Sequence, residues 1–268
     1  MLPAAHLNDL RKACPLIHCI ANLVAANDCA NVLLAAGASP MMAQAAEEME
    51  QISHLSAATV LNTGTPDREK FAVCRLSGQF ACKNQPVVLD PVGVGASAWR
   101  LEETESLLQR VSPTILRVNL GEANALLHRA SGERGVDFTA AAGLPERIAA
   151  AKALAEQVHA AVLLTGEQDV ASDGVRLCVI SGGSRWMARV TGTGCMLSAL
   201  CGAFAAVESE GFLAAALASS FWKTCGALAE QSLRPGEGAG TFRVRLLDAA
   251  SLLTAADWAA QMQTKFCE

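Results

Sequence analysis

The sequence lacks the signals of several common protein classes. Charged residues make up 18% of its 268 residues, the net charge is −5 and no basic cluster occurs, so we expect no nucleic-acid partner. No pair of the ten cysteines has CxxC spacing and the five histidines are isolated, so no zinc site is predicted. The amino terminus has no basic region followed by an apolar stretch, and the most apolar part, residues 196–228, is interrupted by ESEG. We therefore expect neither a signal peptide nor a membrane span.

Several catalytic motifs are also missing. There is no GxxxxGK[ST], which excludes a P-loop kinase, and no GxSxG, which excludes nucleophile-elbow hydrolases. The stretch GVGAS lacks the full GxGxxG spacing of a dinucleotide turn. The scattered cysteines indicate a reduced, cytoplasmic protein in which most of them serve as small buried hydrophobes.

Apolar residues are abundant. They make up 51% of the chain, enough for a large core with apolar surface left over, which favours an oligomer. Short apolar runs alternate with helical stretches, which is typical of parallel βαβ units. The runs are apolar throughout, so the sheet is expected to be covered on both faces. We predict strands over 15–20, 38–43, 58–62, 86–90, 113–119, 161–165, 175–183 and near 185–190, and helices over 27–37, 46–56, 121–130, 144–160, two long segments after 195 and one near 247–262.

The predicted fold is therefore a three-layer αβα domain with a mostly parallel central sheet. Residues 129–143 are the most linker-like segment but are too short to separate domains, so residues 1–268 are expected to form a single domain. Asn27 is the candidate N-cap of the first of these helices, and Gly37 is its stop.

Polar residues follow the predicted strands where ligands bind in such sheets, at the carboxyl ends. Carboxylates there hold Mg²⁺ together with phosphates, and glycines free backbone N–H groups to face an anion. The sequence therefore favours a phosphorylated ligand with a divalent metal. The residues concerned are Asp90, Asn119, Glu122, Thr165, Glu167 and Asp169, with glycines at 93, 95 and 166. Asp90 as a simple helix cap and the glycines as simple tight turns are the alternatives.

The stretch TGTGC, residues 191–195, precedes a long apolar helix. A helix N-terminus with flanking glycines is a ready anion site. The alternative is structural, with Thr191 capping the helix and the glycines allowing it to pack closely on the sheet.

Several blocks occur in a fixed order over nearly the whole chain: PLIHCIANLVAANDCANVLLAAGASPMMA (15–43), VLNTGT (60–65), LDPVGVGAS (89–97), LRVNLGEANAL (116–126), LTGEQDV (164–170), VTGTGCMLSAL (190–200) and GAGTF (238–242). Together they resemble the hydroxyethylthiazole kinase family of the ribokinase-like superfamily. Cys195 is the discriminating residue, since most ribokinase-like enzymes carry Asp there.

The resemblance implies ATP-dependent phosphorylation of 4-methyl-5-(2-hydroxyethyl)thiazole in thiamine salvage, with Mg²⁺, no separate lid domain, and a homotrimer with thiazole sites between subunits. By motif, Met42 and Gly192 would contact the thiazole, and Asn22, Gly64 and Cys195 would lie near its hydroxyl, Cys195 as the catalytic residue. Arg117 and Thr165 would bind ATP, while Asp90 and Glu122 would serve the metal and phosphates.

Two positions depart from the family pattern, which usually has Thr at Ala21 and Gly at Val118. Alternatives remain open at this stage: a related kinase for another small alcohol such as hydroxymethylpyrimidine, a binding protein without turnover, and a dehydratase that repairs hydrated nicotinamide cofactors. A cysteine hydrolase using Cys195 would need one of His18, His54, His128 or His159 as its base.

Overall fold

A computed structural model describes residues 2–128 and 143–267. Within them, nine strands form one sheet in the order β2-β1-β3-β4-β5-β6-β7-β8-β9. The strands from β2 to β6 pair in parallel, and β7, β8 and β9 add an antiparallel extension. The strands are β1 (Leu16–Ile20), β2 (Ser39–Met41), β3 (Ala58–Asn62), β4 (Val87–Asp90), β5 (Ile115–Asn119), β6 (Ala161–Thr165), β7 (Asp169–Ser172), β8 (Leu177–Ile180) and β9 (Thr264–Cys267).

Helices cover both faces of this sheet, as predicted. Successive strand residues point to opposite faces, so Val88 and Ile115 join one buried cluster while Leu89 and Leu116 join the other. The first cluster packs under α1 (His6–Ala13), α2 (Ala26–Ala36), α8 (Thr193–Ala205), α9 (Gly211–Gln231), α10 (Ala239–Leu252) and α11 (Ala255–Gln261). The second packs under α3 (Met49–Leu55), α4 (Arg68–Ala81), α5 (Ala98–Leu108), α6 (Leu120–Leu126) and α7 (Leu144–Val158). The three-layer αβα class is confirmed.

The predicted strand near 185–190 is wrong. Residues Arg185–Arg189 form a 3₁₀ helix, whose first turn is capped by the Ser184 hydroxyl accepting from the Trp186 N–H at 3.0 Å. The Trp186 ring stacks on Phe242 of α10, a contact between distant segments that local sequence does not reveal. Strands β7 and β9 were not predicted at all, and the terminal helical stretch is divided between α10 and α11.

The predicted helix cap at Asn27 is wrong, and the alternative of a Thr191 cap is not borne out either. Helix α2 begins after Ala25 rather than Asn27, because the Asn22 Oδ1 atom accepts the Ala25 N–H at 2.9 Å and forms the turn itself. Helix α8 is preceded by Gly192, at φ 82°, with no side-chain cap from Thr191. The predicted stop at Gly37 is confirmed by its left-handed backbone at φ 105°. Most of the linker-like segment, residues 129–142, lies outside the described residues.

The expectation that no segment is apolar enough to span a membrane is wrong for helix α9. Among the described residues, α9 is the one helix whose length and composition would allow it to cross a bilayer. Of its most apolar 18-residue window, 83% is buried inside the protein. The apolar character of α9 is therefore accounted for by its packing in the core between α8 and α10.

Candidate functional site

All nine site residues named from the sequence lie at or near the carboxyl ends of the parallel strands or at the start of α8. Asn22 follows β1, Gly64 follows β3, Asp90 ends β4 and Thr165 ends β6. Because these strands are parallel, their carboxyl ends meet at one edge of the sheet, as the strand-end argument requires. A continuous chain of contacts, which includes Asn62 on β3, links Asn22, Asp90, Arg117, Thr165 and Cys195 across five strands and α8.

The Asp90 carboxylate is the centre of this chain. It is fully buried, and its Oδ2 atom accepts hydrogen bonds from Asn62 Nδ2 at 2.8 Å and from the Ser198 hydroxyl at 2.7 Å. Its Oδ1 atom faces the Arg117 guanidinium, with Nη1 at 3.5 Å, and has no hydrogen-bond partner. Asp90 is thus not a helix cap: it is a buried charge with one carboxylate oxygen left for a further ligand.

Arg117 connects Asp90 to the end of β6. Its Nη2 atom donates to the Thr165 hydroxyl at 2.7 Å. Burial opposes its charge, but Asp90 and Glu122 outweigh burial and raise the pKa of Arg117, which therefore stays cationic. The guanidinium lies against Gly194, where an added Cβ would come within 2.6 Å of Nη2. The glycine at 194 therefore makes room for the arginine beside the start of α8.

Cys195 lies in the first turn of α8. Its Sγ atom accepts a hydrogen bond from Asn22 Nδ2 at 3.0 Å, and the same amide group donates to Asn62 Oδ1 at 3.1 Å. Asn62 Oδ1 also accepts the Gly64 N–H at 3.0 Å. The Asn22, Asn62 and Gly64 group therefore holds the thiol beside Asp90.

Burial and the nearby charge of Asp90 raise the pKa of the Cys195 thiol to about 11, although Arg117 and the amides of Asn62 and Asn22 act in the opposite direction. Cys195 is therefore a neutral thiol at physiological pH. In the described part of the chain it is hydrogen-bonded to no histidine, and the buried His18 ring contacts the Ala43 carbonyl and Ser77 instead. A protonated thiol without a histidine base disfavours the cysteine hydrolase.

Glu122 is held by backbone N–H groups. Its Oε1 atom accepts from Gly93 and its Oε2 atom from Asn119, each at 2.8 Å, the second completing a capping box at the start of α6. Burial raises the pKa of Glu122 to about 7, with Arg117 opposing and Asp90 adding to the rise. Both oxygens of Glu122 already accept a hydrogen bond. Glu122 therefore holds the backbone of the loop after β4 in place, in addition to contributing to the charge of the site.

Lys70, on α4, is a residue that the sequence reasoning missed. Its ammonium donates to the Ala21 carbonyl at 2.7 Å and to the Gly64 carbonyl at 2.9 Å. It therefore ties the loop that carries Asn22 to the loop that carries Gly64. Burial lowers the pKa of Lys70, opposed by the nearby Cys74, Asp67 and Cys195. The sequence does show a lysine shortly after TGTPD. Its partners, however, are backbone carbonyls, and no sequence motif predicts which carbonyls a lysine will bind.

Met42 lies apart from these contacts. It follows β2, the edge strand, and packs half-buried against the first core cluster. Strands β1, β3, β4 and β5 separate it from β6, which at about 4.8 Å per strand places it about 24 Å from the end of β6. Gly192, by contrast, directly precedes α8, and a Cβ there would come within 2.9 Å of Ala25.

The donor set at this edge fits magnesium brought in with phosphates. Within residues 2–128 and 143–267, no three His, Cys, Asp or Glu side chains cluster in a way that could hold a metal. Mg²⁺ needs no such cluster, because it keeps waters and is held by one or two carboxylates plus substrate phosphates. The Oδ1 atom of Asp90, which has no hydrogen-bond partner in that part of the chain, is a carboxylate oxygen of the kind that such a site requires.

Comparison with known proteins identifies the family. The model of the hydroxyethylthiazole kinase family matches residues 7–256. The chain belongs to this family. A hydroxyethylthiazole kinase of Clostridium botulinum (strain Alaska E43 / Type E3) is 39% identical over 251 residues, covering 92% of this chain and 90% of that protein. One of Listeria monocytogenes serotype 4a (strain HCC23) is 40% identical over 244 residues, covering 91% and 90%.

Solved structures extend the comparison. The hydroxyethylthiazole kinase of Pyrococcus horikoshii OT3 superposes with a TM-score of 0.88 at 34% identity, covering 99% of this chain and 98% of that one. A pyridoxal kinase from Staphylococcus aureus in complex with AMP-PCP gives a TM-score of 0.60 at 15% identity, covering 80% of this chain and 88% of that one, which shows a shared fold alone. The ribokinase-like fold is thereby confirmed.

The two departures from the pattern of the hydroxyethylthiazole kinase family are accommodated by the structure. Val118 lies buried within β5, where no left-handed backbone is needed, so a β-branched residue causes no strain there. Ala21 contributes its carbonyl to Lys70, and a carbonyl is available from any residue. Neither substitution disturbs the contacts of Asp90.

Glu122 gives this family member a pH-dependent stability. Its folded pKa, about 7, lies above its ordinary value of 4.5, so its contribution to stability is complete below that ordinary value and is lost as pH rises through about 7. We expect the melting temperature of Glu122→Gln to rise relative to that of the native protein as the pH increases from about 5 to about 8. Thermal melts across this range without nucleotide measure it.

Glu122→Gln carries a constant penalty, because one backbone N–H loses its carboxylate acceptor, so the change with pH is the informative quantity. Glu102→Gln on the exposed side of α5 is the control for removing one negative charge. A difference between Glu122→Gln and the native protein that stays constant with pH would show that Glu122 is ionised throughout.

Proposed function

We propose that this chain phosphorylates the primary alcohol of 4-methyl-5-(2-hydroxyethyl)thiazole with ATP, in thiamine salvage in the cytoplasm. The observation that carries the proposal is the set of contacts at the N-terminus of α8, in which Asn22 binds the Cys195 thiol and connects through Asn62 to Asp90 and Arg117. The family match and the hydroxyethylthiazole kinases among the relatives support the substrate. All ten cysteines are free thiols, which supports a reducing compartment.

ATP is proposed to bind at the Arg117 and Thr165 end of the site. The cationic guanidinium and the hydroxyl, 2.7 Å apart, offer donors for phosphate oxygens. Mg²⁺, when bound, would neutralise charge on the transferred phosphates. Asp90 would hold it through Oδ1, and Glu122 would add negative charge from the next loop.

The acceptor alcohol is proposed to bind at the Cys195 end, near Asn22 and Gly64. In the reaction its oxygen bonds to the γ-phosphorus of ATP, the bond from that phosphorus to the bridging oxygen breaks, and ADP leaves while the alcohol proton is released. The backbone N–H groups of Gly192 to Cys195, at the positive end of the α8 dipole, would stabilise the transferring phosphoryl group. The neutral Cys195 thiol would hydrogen-bond the hydroxyl without ionising it first.

A homotrimer with thiazole sites between subunits is also proposed. Met42 lies on the edge strand, far from the nucleotide end, and is proposed to contact thiazole at a site that a second copy completes. Leu23 and Val24, next to Asn22, are 79% and 61% exposed, so apolar surface lies beside the acceptor end. Light scattering on the purified protein gives the subunit number, and a monomer would contradict this proposal.

The nine-stranded sheet supports residues 1–268 as one ribokinase-like domain without a separate lid. The alternatives remain a kinase for hydroxymethylpyrimidine and a relative without turnover. An ADP-release assay with Mg²⁺-ATP and the thiazole alcohol, the pyrimidine alcohol, or no acceptor separates them. We expect release that depends on the thiazole alcohol. Preference for the pyrimidine would contradict the substrate, and ATP binding without ADP release would contradict the activity.

Cys195→Ala tests the role of the thiol. Because Cys195 is protonated at neutral pH, we expect kcat to fall by about 10²-fold, the lower end of what acid–base catalysis contributes. The Km for ATP should change little, since Arg117 and Thr165 remain. Cys82→Ala, at the exposed end of α4 on the opposite edge of the sheet, is the control. A loss greater than about 10⁴-fold would contradict this limited role, because a hydrogen bond from a neutral thiol could not account for it.

A further inference from the structure

Arg147 is a charged side chain that none of the contacts described so far uses. It lies in the first turn of α7, and its guanidinium is packed against Gly166, the residue directly after Thr165. A Cβ atom on Gly166 would overlap Nη2 and Cζ of Arg147. Residue 166 is therefore a glycine for the same physical reason as Gly194, which makes room for Arg117.

Within the described residues, two nitrogen atoms of the Arg147 guanidinium have no acceptor. Its Nε and Nη2 atoms are buried and, within the residues that the structure describes, have no hydrogen-bond partner. Burial lowers the pKa of Arg147, opposed by Asp169 and Glu167, yet an arginine stays protonated in proteins. Buried N–H groups on a cation are costly when unpaired, so this arrangement calls for an anionic acceptor.

The Asp169 carboxylate, which opposes the lowering of the Arg147 pKa by burial, is already occupied by other donors. Its Oδ1 atom accepts the Gly166 N–H at 2.8 Å and lies 3.2 Å from Lys223 Nζ, while its Oδ2 atom accepts the Ser219 hydroxyl at 2.8 Å. Lys223 also donates to the Gly166 and Glu167 carbonyls, each at 2.8 Å. Lys223 therefore holds the loop after β6 on the α9 side and neutralises Asp169 there. Glu167 also opposes the lowering of the Arg147 pKa by burial, but among the described residues it forms no salt bridge with the Arg147 guanidinium.

We propose that Arg147 binds a phosphate oxygen of the nucleotide, as a second arginine beside Arg117. The inference rests on the proposed function, because Thr165 belongs to the proposed ATP site and Gly166 follows it. The free Nε and Nη2 edge of a guanidinium matches two oxygens of a phosphate. Arg117 and Arg147 then both lie at the end of β6. Arg117 donates a hydrogen bond to Thr165, and Arg147 packs against Gly166.

Binding of ATP, ADP and adenosine to Arg147→Met tests this assignment by calorimetry. We expect the Kd for ATP and ADP to rise about 10-fold, the effect of losing one charge-assisted hydrogen bond, and the Kd for adenosine to stay unchanged. Arg147→Lys should recover part of the affinity, since it keeps the charge without the planar fork. Arg110→Met, an exposed arginine before β5 at the opposite edge of the sheet, should bind all three as the native protein does.

The outcomes are distinguishable. An unchanged Kd for ATP in Arg147→Met would overturn the assignment, as would an equal loss for adenosine, which would place Arg147 at the nucleoside. A lowered melting temperature with unchanged nucleotide affinity would assign Arg147 to loop packing and also overturn it. Failure of the native protein to bind ATP would instead overturn the proposed function.

Discussion

The site depends on one buried charge, the carboxylate of Asp90. A carboxylate removed from water is stable only when hydrogen bonds and a counter-charge replace its hydration. Asn62 at the end of β3, Ser198 on α8 and Arg117 on β5 supply these. The requirement to satisfy Asp90 therefore fixes α8 against the centre of the sheet, with its N-terminus and Cys195 at the carboxyl edge. Gly194 is part of the same requirement, because a side chain there would displace Arg117.

This arrangement explains why a cysteine can stand at the start of α8. Burial and the neighbouring Asp90 keep the thiol protonated, although a helix N-terminus favours the thiolate. A strong base is of limited use if the phosphoryl group is largely detached from its leaving group before the acceptor loses its proton. In the proposed reaction the α8 amides and Arg117, which neutralise phosphate, would supply most of the catalytic contribution, and Cys195 would position the hydroxyl.

The sequence could predict the parts of the site that follow from strand ends. Asp90 and Thr165 were predicted because parallel strands bring their carboxyl ends together, and the TGTGC turn because it precedes an apolar helix. Ser198 and Lys70 could not be predicted. Ser198 meets Asp90 across 108 residues of chain, and Lys70 binds carbonyls, which leave no mark in a sequence. The prediction of a strand near 185–190 was wrong for a similar reason. The conformation of that segment depends on the contact between Trp186 and the distant Phe242, which local sequence does not reveal.

The central claim is that Asp90 and Arg117 act as one unit, and a double-mutant cycle on unfolding free energy tests it most directly. Each of Asp90→Asn and Arg117→Met leaves the other charge buried and should cost about 3–5 kcal/mol. The double variant removes both charges and should be destabilised by at least about 1 kcal/mol less than the sum of the single losses. Losses that add to within about 0.5 kcal/mol would contradict the claim, because the two residues would then contribute independently.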